Sequence, residues 1–163
     1  MKAYDLSKVS ILVLEKHLLI RKLLTDVFEE FGVASVLSTA DPKIAYDFFM
    51  TTPVDIVISD WTHDLDGMAF LKQLRQGLTS CNPFVPIIVC TAYTEFHYVC
   101  TARDMGTTEF LAKPVSAKTI YSRICALIEG HRPFIRTNKF FGPDRRRSRD
   151  EAFVDVERRM RPF

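Results

Sequence analysis

VSILVLEKH (residues 9–17) runs five aliphatic residues and one serine straight into a glutamate, a lysine and a histidine. A short aliphatic run with so little polar alternation predicts a strand over 9–14 that is covered on both faces. The abrupt change at Glu15 means that this strand delivers charge at its carboxyl end. Three readings compete for Glu15 and Lys16: a solvated strand end, an ion-paired site, or a metal site in which one ligand has been replaced.

The same pattern recurs along the chain. VASVL (33–37), VDIVIS (54–59), VPIIVC (85–90) and TEFLA (108–112) are short and rich in Val, Ile or Leu. Helical patterns separate them. Residues 17–31 place Leu18, Leu19, Leu23, Leu24, Val27, Phe28 and Phe31 at helical spacing, and Gly32 stops the run. Asp41 and Pro42 form a cap and first-turn pair, with Ile44, Ala45, Phe48 and Phe49 as the inward stripe. Further helices fit 66–76, 95–105 and 116–129, the last opening at Ser116 and closing at Gly130. Five strand-then-helix units predict an α/β fold, a doubly wound parallel sheet with helices on both faces.

Composition agrees with a globular domain. The 163 residues are 47% apolar and 26% charged, enough for a real core and one domain plus an appendage. No stretch approaches the roughly 18 apolar residues of a membrane span, and MKAYDLSKVS lacks a signal-peptide core, so no membrane insertion and a cytoplasmic location are expected. Cys81, Cys90, Cys100 and Cys125 show no C-x-x-C spacing and read as reduced structural thiols. Residues 131–163 hold 10 Lys and Arg against 5 Asp and Glu, leaving 12 and 15 for residues 1–130. An acidic body of −3 therefore carries a basic tail of +5.

Ligands of such sheets bind beyond the carboxyl ends of the strands. Those ends supply Glu15 and Lys16, Asp60, Thr91, and Lys113 followed by Pro114. One aspartate after a strand is commonly a turn residue or helix cap. Four strand ends that each turn polar point to a shared site.

VDIVISDW (54–61), DGMAFLKQLR (66–75), IIVCTA (87–92) and TEFLAKPV (108–115) together resemble the receiver domains of bacterial two-component response regulators, over about Val9 to Glu129. The resemblance implies a flavodoxin-like five-stranded sheet of order 2-1-3-4-5, with residues 1–130 as the receiver domain. It also implies that Asp60 is the phosphoacceptor, Thr91 the switch hydroxyl, Ala92 the small residue that keeps the phosphoryl pocket open, Phe110 the switch aromatic and Lys113 the phosphate-binding lysine. Mg²⁺ would be held by Glu15, Asp60 and the Thr62 carbonyl, and the peptide before Pro114 would be cis. The implied partners are a histidine kinase or phosphotransfer protein and a downstream protein, and the implied state is a monomer or homodimer. Such a chain is not an enzyme beyond its own phosphorylation and dephosphorylation.

Two positions depart from the family pattern. Lys16 stands where the family has a second acid, so the site loses an oxygen ligand and gains a cation. Two unit charges 4 Å apart interact by about 4 kcal/mol at an effective dielectric of 20, so an inward Lys16 would oppose a divalent ion. A lysine in solvent, and an ion pair to Asp60 or Glu15 that partly replaces the metal, are the two readings. The second departure is the loop WTHDLDG (61–67), one residue short and without proline, in which His63 and Asp64 are candidate auxiliary ligands. Both departures bear on the alternative, a phosphorylation-independent pseudo-receiver acting as a binding or scaffold module. A flavodoxin-like cofactor enzyme is disfavoured by the absence of a Gly-rich phosphate loop after the first strand.

The tail combines FFGPDRRRSR (140–149) with DEAFVDVERRM (150–160), the latter fitting a short amphipathic helix through Phe153, Val156 and Met160. A solvated end is its plainest reading. Docking on an acidic partner or on the domain itself comes next, and nucleic acid is the least favoured.

Overall fold

A computed structural model describes residues 3–62, 67–76, 80–130 and 132–145. Strands β1 (Ser10–Leu14), β2 (Ser35–Thr39), β3 (Ile56–Asp60), β4 (Ile87–Thr91) and β5 (Glu109–Ala112) form one parallel sheet of order β2-β1-β3-β4-β5. Helices α1 (Leu18–Glu30), α2 (Pro42–Thr51), α3 (Gly67–Gln76), α4 (Phe96–Asp104) and α5 (Ala117–Glu129) connect and follow them. This is the flavodoxin-like α/β arrangement, and every strand pair in the sheet is parallel.

The period of two along each strand divides the core into two layers. Leu12, Leu14, Val57, Ile87 and Val89 face Ala45, Phe49, Phe70 and Leu74 of α2 and α3. Ile11, Val13, Ile58, Ile88 and Cys90 face Leu24 and Phe28 of α1 and Ile120 and Ile124 of α5. β1 and β3 are buried almost throughout, as their sequences predict.

Strands begin one or two residues later than the apolar runs suggest, because the first apolar residues belong to turns. Val33 donates its N–H to Phe28 O in the turn closing α1, where Gly32 adopts φ +72°. α1 corrects the expected stripe: Leu18, Leu19 and Leu23 are 67%, 82% and 47% exposed. Helical spacing alone admits neighbours about 100° around the axis, and the face that meets the sheet runs through Ile20, Leu24, Val27, Phe28 and Phe31. Ile44 of α2 is likewise exposed. Two helix starts follow the sequence closely. Asp41 accepts from Lys43 N–H at 2.8 Å with Pro42 in the first turn, and Ser116 and Thr119 form a capping box. The Lys113–Pro114 peptide is cis.

After residue 130 the chain does not simply trail away. β6 (Phe134–Arg136) and β7 (Phe141–Pro143) pair antiparallel as a hairpin. The hairpin lies against the segments that lead into β4 and β5. Gly142 comes so close to Gly106 that a side chain on either would collide with backbone, and Gly106 adopts φ +93°. Phe140 and Phe141 are buried, and the Phe84, Phe134 and Phe141 rings stand 5.3 to 5.6 Å apart. Arg145 pairs with Asp104 at 2.7 Å and stacks over Phe140. Composition marks this segment as basic but carries no signal for its pairing. The predicted helix through 150–160 lies outside the described residues.

Candidate functional site

Parallel strands of near-equal length bring their carboxyl ends into line, and the register sets Asp60 beside Cys90, one residue before Thr91, which pairs with Ala112. Glu15 and Asp60 are each 1% exposed and Thr91 is fully buried. Lys113 follows β5 and bridges the acids: its Nζ donates to Glu15 Oε2 at 2.7 Å and to Asp60 Oδ1 at 2.8 Å. The second Glu15 oxygen accepts the His17 N–H at 2.8 Å. Asp60 Oδ2 is buried with no hydrogen-bond partner.

Two carboxylates sharing one ammonium leave a net negative charge in a desolvated place. Burial pushes the Asp60 carboxyl up, the Lys113 hydrogen bond opposes it, and Glu15 adds to it, so the group stands above the usual carboxylate range. Burial alone would lower Lys113, yet its bonds to Asp60 and Glu15 outweigh that and hold the ammonium above its ordinary value. The Asp60 carboxyl is raised despite its ion pair because one oxygen has no donor and a second acid lies opposite.

Thr91 Oγ1 donates to the Trp61 carbonyl at 2.6 Å and accepts the Tyr93 N–H at 3.1 Å. The Thr91 hydroxyl is thus fastened to the loop that leaves Asp60. Ala92 is exposed, and half-buried Phe110 packs on the layer of α2 and α3 beside an open cavity of about 280 Å³ that Val99, Ala102 and Thr107 also line. Lys16 is exposed. Thr62 is half-buried beside the site, whereas His63 and Asp64 lie outside the described residues. The structure therefore gathers Glu15, Asp60, Thr91 and Lys113 tightly.

The packing gives three further residues a part in the site. Arg21 Nη1 donates to Glu15 O at 2.7 Å and to Lys16 O at 3.4 Å, pinning the turn that presents them. Gly67 opens α3 directly on the Asp60 carbonyl, where any Cβ would collide with it. Trp61 meets Tyr98 edge-on at 5.4 Å, and Tyr93 and His97 complete an aromatic cluster beside the site. Burial pushes the Cys90 thiol up to about 12, so it stays protonated as the structural reading expects.

Among the described residues no three Asp, Glu, His or Cys side chains converge on one point. Magnesium, however, commonly takes one or two carboxylates and fills the rest of its octahedron with water and phosphate oxygens. The orphaned Asp60 Oδ2, with Glu15 and the Thr62 backbone nearby, fits that donor set.

Residues 11–125 match the family model of the response regulator receiver domain. A protein-glutamate methylesterase/protein-glutamine glutaminase of Oleidesulfovibrio alaskensis is 29% identical over 130 residues, which are 74% of this chain and 35% of that protein. The transcriptional regulatory protein YdfI of Bacillus subtilis is 24% identical over 123 residues, 74% of this chain and 55% of that one. The chain thus spans only about a third to a half of these relatives. Among solved structures, chemotaxis protein CheY4 of Vibrio cholerae aligns with TM-score 0.66 at 23% identity, covering 72% of this chain and 97% of that one. A response regulator of Thermotoga maritima aligns with TM-score 0.65 at 15% identity, covering 74% and 98%. These last two likenesses concern the fold alone.

Proposed function

This chain belongs to the response regulator receiver family, and on that premise we propose that it accepts a phosphoryl group on Asp60 from a histidine kinase or phosphotransfer protein. The observation that carries this reading is the Asp60 carboxylate itself, with one oxygen held by Lys113 and the other buried and unpaired. A carboxylate so held has one oxygen oriented and one uncommitted, as a nucleophile requires.

In the proposed transfer an Asp60 oxygen attacks phosphorus, the bond from phosphorus to the donor imidazole nitrogen breaks, and that nitrogen keeps the electron pair. Lys113 then shares its protons with a phosphoryl oxygen, where the added charge compensates for its loosened hold on Glu15. Magnesium, bound by Asp60, Glu15 and the Thr62 carbonyl, would neutralise charge on the transferred group. Thr91 has to release the Trp61 carbonyl before its hydroxyl can donate to a phosphoryl oxygen. That exchange frees the loop after Asp60 and the space behind Thr91, into which Phe110 turns, so a local charge becomes a change of surface on α4 and β5. The receiver domain over 1–130, its cytoplasmic location, and signalling by protein contacts as a monomer or homodimer are part of the same proposal.

Intact-mass measurement after incubation with acetyl phosphate and Mg²⁺ tests it. One added phosphoryl group in the native chain and none in Asp60→Asn is the expected result. Addition that persists in the Asn variant would remove Asp60 from the role, and no addition at all would favour the pseudo-receiver.

A further inference from the structure

The hairpin and the carboxyl-terminal half of α3 enclose an open cleft of about 750 Å³. Four cationic side chains line it: Lys72 and Arg75 from α3, Arg136 from the end of β6, and Lys139 from the hairpin turn. Gln76 and Asn138 add neutral amides, and no carboxylate lines the cleft among the described residues. Lys72, Arg75 and Gln76 are three and four positions apart, so they share one helix face.

Among the described residues these charges lack carboxylate counter-charges, which sets them apart from their neighbours. Arg132 pairs with Glu109 at 2.9 Å and Arg145 with Asp104 at 2.7 Å, whereas none of the four cleft cations has a carboxylate partner among the described residues. Arg75 is the most telling, being 2% exposed. Its Nε donates to Gly106 O at 2.9 Å, its Nη1 to Pro83 O at 2.8 Å and Val85 O at 2.6 Å, and its Nη2 to Thr108 Oγ1 at 3.4 Å. Neutral acceptors fix the guanidinium without cancelling its charge. Burial pushes it down to about 9, still high enough to stay charged at neutral pH. A buried cation without a counter-ion is costly, and three exposed cations around the same cleft add to its field.

We propose that this cleft binds a small molecule carrying two or more phosphate groups, of about nucleotide size. Its volume lies within the roughly 300–1,000 Å³ of small-ligand sites, and its concavity suits a compact ligand better than a flat protein surface. A single carboxylate would leave most of the positive charge unanswered, whereas guanidinium forks and ammonium groups are the usual partners of phosphate oxygens. The segments that hold Arg75 precede β4 and β5, so the cleft lies at the amino ends of the strands, away from Asp60, Thr91 and Lys113 at the carboxyl ends. Binding there does not depend on phosphorylation of Asp60.

The test is calorimetric titration of the full chain, free of divalent metal and at low salt, with inorganic tripolyphosphate and with ADP. Saturable one-to-one binding that weakens with salt is expected. Lys72→Ala, Arg136→Ala and Lys139→Ala should each weaken it about fivefold and together about a hundredfold, the usual worth of exposed charge contacts. Equal affinities would identify the phosphate chain as the ligand chemistry, and tighter ADP binding would add the nucleoside. All three replaced side chains are exposed, and the single reversal Lys139→Glu in the turn gives the same reading should the triple variant unfold. Absence of saturable binding, affinity unchanged in these variants, or hexaglutamate binding as tightly as tripolyphosphate would overturn the proposal.

Discussion

Lys113, just beyond β5, reaches past β4 to set its ammonium 2.8 Å from Asp60 Oδ1 at the end of β3. The same nitrogen lies 2.7 Å from Glu15 Oε2 beyond β1, so one cation ties three strand ends together. Its removal would leave two buried acids facing each other without the ammonium that they share.

Lys113→Met should therefore destabilise the fold at neutral pH by about 3 kcal/mol, the lower end for breaking a buried pair because Lys113 retains some exposure. The pH dependence has a definite sign. In the native chain the raised Lys113 contributes stability that is fully present below its ordinary value of 10.5 and is lost as pH rises through the higher folded value. Asp60, already raised, would rise further in the Met variant, and an acid that holds its proton more tightly when folded favours folding more as pH falls. Denaturant unfolding at pH 5 and pH 8 should show the smaller deficit at pH 5. An equal deficit at both would mean that the loss is one of packing rather than of charge.

Gly67 supplies a second check on how tightly the site is built. A Cβ there would strike the Asp60 carbonyl oxygen, which is strand backbone and cannot yield, and would sit 3.4 Å from Ser59 Oγ. Gly67→Ala should push the start of α3 away from β3 at a cost of about 1–3 kcal/mol and slow phosphoryl acceptance with it. Gly32→Ala is the control: nothing lies within 4 Å, but φ +72° makes it strained by about 1–2 kcal/mol without touching the site. Thermal unfolding together with phosphorylation rate separates the two, and a normal rate in Gly67→Ala would show that the contact does not position Asp60.

Much of this was legible because it follows from period and chain direction. Aliphatic runs ending in Glu15, Asp60 and Thr91 mark parallel strands, and parallel strands must align their ends. What escaped was decided by packing between distant segments. Nothing local says that Leu19 faces water while Leu24 faces the sheet, since both fit a helical stripe. Nothing local marks Arg75 for burial, and only the turn at Gly106 and the segment entering β4 at Val85 make it a buried pin. The hairpin escaped for a related reason: its anchors, Gly106 and Phe84, lie far back in the sequence.

Lys16→Asp tests the departure at the end of β1. It restores an oxygen donor and removes a positive charge beside Glu15, so Mg²⁺ affinity should strengthen by one or more tenfold steps, each about 1.4 kcal/mol. Trp61 is the chain's one tryptophan and adjoins Asp60, which makes its fluorescence a direct readout of cation binding. Equal affinity in the two proteins would mean that position 16 has no influence on the ion.

Deleting residues 131–163 weighs the hairpin against the domain it covers. The five strand-then-helix units are complete by Gly130, so the truncated chain should still fold. It should do so less stably, because Phe140 and Phe141, 7% and 8% exposed, each contribute about 1.5–3 kcal/mol through burial. The accompanying ion pairs, Arg145 with Asp104 and Arg132 with Glu109, are solvent-accessible and add little. Salt discriminates between these contributions. Screening at 1 M reduces the Debye length to about 3 Å and weakens the ion pairs, but leaves apolar burial intact, so most of the stability difference between full and truncated chains should survive high salt. Phe141→Ala in the full chain should reproduce a large part of the deficit. A difference that vanishes at high salt would assign the docking to charge, and a truncated chain that fails to fold would move the domain boundary beyond the hairpin.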